Sequence, residues 1–168
     1  MKYFYNLLKV SLFALVGVFA TGSAYAQNAI YGDNIIIDGD FSADTLSSAW
    51  APFNLEGTVA ATFGVTDSAA SITGITGTDG TSWHVQFNQI LTADQIAAIE
   101  VGANYEIRFD AKTDAANKDL VVFFGHNGGG WENYASAVTL ADTMATFIQT
   151  VFVPVTWGLD DSGMKLGF

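Results

Sequence analysis

The chain has no cysteine, only two prolines, and six lysines and arginines against 17 aspartates and glutamates. Each shortage excludes something. Without cysteine there is no disulfide framework, so 168 residues must be held by packing, with a bound cation as the natural supplement given so many carboxylates. Without a basic surplus there is no footprint for a phosphate backbone or an anionic bilayer, and nucleic acid is excluded as a partner. Signatures of catalysis are missing too. There is no Gly-x-Ser-x-Gly and no His-Glu-x-x-His. The glycine-rich run Gly125-His126-Asn127-Gly128-Gly129-Gly130 lacks the lysine and the following helix of a phosphate loop. Glycoside hydrolysis needs two carboxylates facing one bond, and Glu132 beside Trp131 is the one tempting acid. The segment is therefore expected to be non-catalytic.

Long apolar runs are scarce as well. Val10 to Ala20 is too short to span a bilayer, follows Lys2 and Lys9, and precedes the small-x-small site Ala24-Tyr25-Ala26. This pattern is that of a secretory signal peptide over residues 1–26, with the mature chain beginning at Gln27, secreted or periplasmic, and not held in a membrane. Processing would leave four basic side chains, Arg108, Lys112, Lys118 and Lys165, against all 17 carboxylates.

What is present is short, alternating, strand-like sequence at a spacing of about ten residues with turn residues between, the pattern of an antiparallel sandwich. Asn34 to Ile37 is a β-branched run stopping at Asp38-Gly39-Asp40; Ser42 to Gly57 looks irregular; Thr58 to Val65 and Ser68 to Ile75 are separated by Thr66-Asp67. Further strands are expected at Trp83 to Asn88, Tyr105 to Lys112, Leu120 to Gly125, Ala135 to Leu140, Thr146 to Val155 and Met164 to Phe168. Ala93 to Glu100 is the one helix expected after the signal, with Thr92 as N-cap. The sequence stops inside a strand-like run, from which a further strand beyond Phe168 is expected.

In this order the residues resemble the carbohydrate-binding modules of families 4 and 9. The family's opening, an asparagine, three apolar residues and Asn/Asp-Gly-Asp-Phe-Glu, is met by Asn34 to Ser42, and its isolated tryptophan by Trp50. Its Trp-x-Val-Gln-hydrophobic run is met by Trp83 to Phe87, its Gly-x-x-Tyr-x-hydrophobic-x-Phe-x-Ala-Lys strand by Gly102 to Lys112, and its Leu-Gly-aromatic by Leu166 to Phe168. The likeness spans residues 34–168. It implies an all-β, galactose-binding-like jelly roll with a sugar cleft across a concave face, here with one short helix inserted at Thr92 to Val101 and without the family's last strand. It also implies ligand contacts at Phe53, Trp83, Gln86, Asn88, Asn127, Trp131 and Lys165, the last where relatives more often carry Gln or His. A structural calcium is implied through Asp38 or Asp40, although Ser42 stands where the family has a glutamate that helps hold the ion.

The chemistry of the residues gives each position two readings. Polysaccharides offer apolar ring faces to aromatics and hydroxyls to amides. Trp131, after three glycines, is a stacking platform or a lid over the sandwich edge. Phe53 is a ligand contact or a core plug, and Trp50 belongs to the core. Alternation puts Trp83 with Val85 and Phe87 on the core side, unless a bulge or strand start turns it out. Gln86 and Asn88 then face outward, as ligand contacts or as an ordinary solvated face. Asn127 contacts ligand or serves the turn, and Tyr134 is a candidate cleft wall. The row Glu106, Arg108, Asp110, Lys112 alternates in charge and reads as solvated cross-strand pairing. The expectation is a secreted module that binds β-glucan or xylan and steers an attached glycoside hydrolase. A structural or adhesive sandwich without sugar binding is the rival.

Overall fold

The computed structural model describes residues 11–15, 34–43, 45–55, 58–77, 81–114, 117–128, 133–159 and 163–168. Among the described residues ten strands are formed: β1 (Ser11–Leu15), β2 (Trp50–Asn54), β3 (Ala60–Thr66), β4 (Ala69–Thr76), β5 (Val85–Ile90), β6 (Asn104–Ala111), β7 (Lys118–His126), β8 (Asn133–Leu140), β9 (Ala145–Phe152) and β10 (Met164–Gly167). One short helix, α1 (Ala93–Ala97), lies between β5 and β6. The strands make a five-stranded sheet β2-β5-β10-β7-β8, a three-stranded sheet β1-β6-β9 and a β3-β4 hairpin, every pair antiparallel. The all-β sandwich expected from the sequence is what forms. Among the described residues no helix is long and apolar enough to cross a membrane.

Alternation decides what each sheet buries. On β6, Tyr105, Ile107 and Phe109 face inward and are buried; on the opposing sheet Phe87, Val122, Phe124, Met164 and Leu166 do the same. Rings dominate the join. Trp50 stacks on Phe87 with centroids 4.7 Å apart and planes 3° from parallel, and Phe41 leans on both. Such pairs add about 0.5–1.5 kcal/mol each beyond the area they remove from water. Phe41 enters from a backbone with φ of 45°, an unfavourable region for a bulky residue, so burial of its ring offsets local strain.

Four expectations are corrected in detail. Asn34 to Ile37 is not a strand. Its main chain is satisfied by side chains: the Gln89 amide donates to Ile37 O (2.8 Å) and accepts from Ile37 N (3.0 Å), while Gln95 Nε2 donates to Ile35 O. The Ser42 to Gly57 stretch contains β2, where Pro52 is tolerated because β2 lies at the sheet's edge, with one side unpaired. The helix is five residues long; Thr92 caps it in a reciprocal box with Gln95, and it ends before Ile99, which is buried. The Trp83 strand begins only at Val85, because Ser82–His84 forms a single 3-10 turn.

The β3-β4 turn follows from its sequence. Asp67 and Ser68 both have positive φ, 54° and 56°, the mirror-image two-residue turn that matches strand twist. The segment read as a signal peptide also has a place: Ser11–Leu15 is extended and pairs with Asn104 to Arg108 along the edge of β6.

Candidate functional site

The register of the five-stranded sheet fixes which side chains share its outward face. Gln86 and Asn88 alternate with the inward Phe87 and Gln89 on β5. Phe53 of β2 stands opposite Gln86, and Ala51 opposite Asn88. Across β10, Gly167 is opposite Asn88 and Lys165 opposite Ile90; β7 continues the rungs with Phe123 beside Gly167 and Gly125 beside Lys165. Ala135 of β8 closes the central rung. The result is one row, Ala51, Asn88, Gly167, Phe123, Ala135, in which Phe123 is the one large side chain.

A polar cluster occupies the β5-β10 side of this face. Gln86 Nε2 donates to Trp83 O (2.6 Å), and Gln86 Oε1 accepts from Asn88 Nδ2 (3.2 Å) and from Lys165 Nζ (3.3 Å). The two amides are 9% and 7% exposed, so they form a floor rather than a solvated surface. Lys165 Nζ also lies 4.8 Å from the centroid of the Phe123 ring. Burial lowers the Lys165 pKa, since desolvation disfavours its charged form. Among the described residues Asn88 Oδ1 is buried and accepts no hydrogen bond. Flanking this floor, Phe53 is 40% exposed and Trp83 is 54% exposed. The 3-10 turn removes Trp83 from the strand's alternation, so its ring turns outward while His84 is buried.

Phe53, Gln86, Asn88 and Lys165 are thus brought together, with Trp83 in the 3-10 turn that leads into β5. Asn127 sits just past β7, half-buried, its N–H donated to Gly163 O (3.1 Å). Trp131 lies outside the described residues, and so does Glu132. Tyr134 is placed elsewhere. It faces Phe124 in the register and its hydroxyl donates to Gln149 Oε1 (2.9 Å) on the opposite sheet, so it bridges the two layers and is no cleft wall. Trp50 is core, as its stacking on Phe87 requires. Its indole N–H donates to Asp38 O (3.0 Å).

The Asp40 carboxylate serves its own turn, accepting from Ser42 N (3.4 Å), and Asp38 offers its backbone oxygen to the Trp50 indole. Among the described residues no three acidic or imidazole groups converge as a cation cage would need. The charged row of β6 lies on the other sheet, where Arg108 pairs with Glu106 (3.1 Å) and Asp110 accepts from Thr146.

Phe123 and Gly167 were not singled out from the sequence. A signal was present: Leu120 to Phe124 is apolar at every position, whereas a strand with one wet face needs apolar residues only at alternate ones. Five in a row announce something apolar on both sides of β7.

No family model matches the sequence, and no curated protein matches it either. Among solved structures, one described as "CBM4 structure and function" superposes with a TM-score of 0.59 at 27% identity, over 79% of this chain and 86% of that one. The chain is CBM4-like in its fold, as the order of its motifs implies.

Proposed function

We propose that this chain, a CBM4-like carbohydrate-binding module, holds β-glucan or xylan chains against the outward face of its five-stranded sheet. One observation carries the reading: a floor of interlinked carboxamides, Gln86 and Asn88, tied to Lys165 and flanked by the exposed rings of Phe53 and Trp83. Rings meet the apolar faces of pyranoses, while amides and the ammonium exchange hydrogen bonds with hydroxyls. Trp131 and Asn127 belong to the same proposal as contacts from the glycine loop. Nothing in this reading breaks a glycosidic bond.

The module would act by holding an attached glycoside hydrolase near its substrate, which raises local concentration. It would do so outside the cytoplasm, after cleavage following Ala26. Affinity electrophoresis in gels carrying hydroxyethyl cellulose or xylan tests the binding directly. Retardation in either gel supports it, and free migration in both refutes it. A structural calcium at the Asp38–Asp40 turn is proposed from the family resemblance alone; a raised Tm on adding calcium to EGTA-stripped protein would establish it. A second reading, an adhesive sandwich, is favoured by Ile148, Phe152 and Val155, which are exposed on and beyond β9. It predicts free migration in both gels together with self-association in solution.

A further inference from the structure

We propose that Phe123 is the ring on which a pyranose packs at the centre of this face, and that Gly167 and Asn88 Oδ1 complete the subsite by leaving room for the ring and accepting a sugar hydroxyl. The inference rests on the carbohydrate reading above and deepens it.

Three independent features of one rung converge. First, Phe123 is flanked across the sheet by Gly167 and Ala135, and along β7 by Val121 and Gly125. The small neighbour on β8, Ala135, leaves room on that side for a flat ligand beside a single large ring. Second, the space above the Gly167 Cα is filled by others: a Cβ there would overlap Phe123 Cε1, Phe123 Cζ and Asn88 Oδ1. The φ at this position is not in the left-handed region, so close approach, rather than backbone conformation, is what a side chain would disturb. Gly167 thereby lets the edge of the ring and the Asn88 oxygen both close over its Cα. Third, Asn88 is 7% exposed and its Oδ1 is a buried acceptor without a donor among the described residues.

A buried amide oxygen left unpaired is costly, and a donor that reaches it recovers that cost. A sugar hydroxyl is such a donor, and it would arrive attached to an apolar ring face that suits Phe123. The Lys165 ammonium, 4.8 Å from the Phe123 centroid, stands where it can donate to a second hydroxyl at the rim. An aliphatic chain would leave Asn88 Oδ1 unsatisfied, so the subsite favours a ligand combining ring faces with hydroxyls.

Calorimetric titration with cellohexaose and xylohexaose tests this. Phe123→Ala should weaken binding of the preferred hexaose about tenfold or more, and Phe123→Tyr should keep it. Gly167→Ala, which displaces the ring, should weaken it to a similar degree. Thermal melts of each variant report whether the fold is intact. If Phe123→Ala does not fold, Phe123→Leu, which keeps apolar bulk without an aromatic face, decides by the same criterion. Wild-type binding that survives the folded Phe123 variant unchanged overturns the assignment of Phe123 and leaves the carbohydrate reading standing. Wild-type protein that binds neither hexaose, nor is retarded in either gel, overturns that reading and this inference with it.

Discussion

Gln89 and Asn88 are neighbours on β5 and carry the same functional group, yet the two faces of the strand use it in opposite ways. Gln89 points into the sandwich. Its oxygen accepts from Ile37 N and Gln95 Nε2, and its nitrogen donates to Ile37 O, at 2.8–3.0 Å. It does the work of a missing strand for Asn34 to Ile37, presenting a donor and an acceptor as a neighbouring backbone would. Asn88 points outward, is almost as deeply buried, and spends only its nitrogen, on Gln86. A closed set of bonds marks an amide that holds the fold. An open one, buried with its oxygen unmet, is what the proposed site would use for an arriving hydroxyl.

The sharpest way to break this contrast is Gln89→Leu. It would leave the Ile37 N–H and C=O and the Gln95 amide without their partner, and a loss of about 1–3 kcal/mol is expected from these part-buried groups. Chemical denaturation measures it, and a loss below about 1 kcal/mol would mean the clamp is dispensable. Trp131→Ala tests the glycine loop instead. It should cost roughly 1–3 kcal/mol of binding, by analogy with other aromatic anchors, and leave the melting temperature nearly unchanged. Unaltered affinity would remove Trp131 from the site.

Asn88→Ala should show the reverse of Gln89→Leu. Affinity for a hexaose should fall by about 1 kcal/mol or more, while stability should move by less than that, since the change deletes an unpaired acceptor along with one hydrogen bond. A large stability loss with intact binding would erase the distinction between the two faces.

The smallest effect is in alkaline solution, where the two layers titrate with opposite sign. Burial is the main cause that raises the Tyr105 pKa; the bond its hydroxyl accepts from Glu100 N (2.6 Å) opposes this, and the Glu100 charge adds to the rise. The folded state thus favours the neutral phenol. Its stabilising contribution is complete below about pH 10, where the unfolded phenol ionises, and is lost as pH rises through the higher folded value. Lys165 is lowered, so the unfolded chain binds the extra proton, and its penalty is relieved as pH climbs toward the unfolded value. Lys165→Met should therefore flatten a rise in stability, and Tyr105→Phe a fall, when melts are followed from pH 8 to 11.

How far the sequence could be read depended on whether a residue's partners were local. Alternation located β6 because the strand declares its own inward face, as Tyr105, Ile107 and Phe109 do. The Thr92 cap was visible because its partner Gln95 is three residues away. Asn34 to Ile37 misled because β-branched residues suit an extended chain, whereas the groups that satisfy it come from Gln89 and Gln95, more than fifty residues on. Tyr134 was misassigned because the strand was started at Ala135. Begun at Asn133, the alternation joins Tyr134 to the buried Val138 and Leu140. That Phe53, Gln86, Asn88 and Lys165 share one face was legible through resemblance. Phe123 was not, since a ring in an unbroken apolar run declares neither face.

Pro52 has a consequence beyond its own strand. A β-sandwich at high concentration, with pleated borders on display, risks accreting copies of itself border to border. The imide ring midway along β2 withholds an N–H where an incoming strand would look for one, and the surplus of carboxylates repels the copy that tries. On that flank, one rung of the ladder is missing for any strand that would climb it.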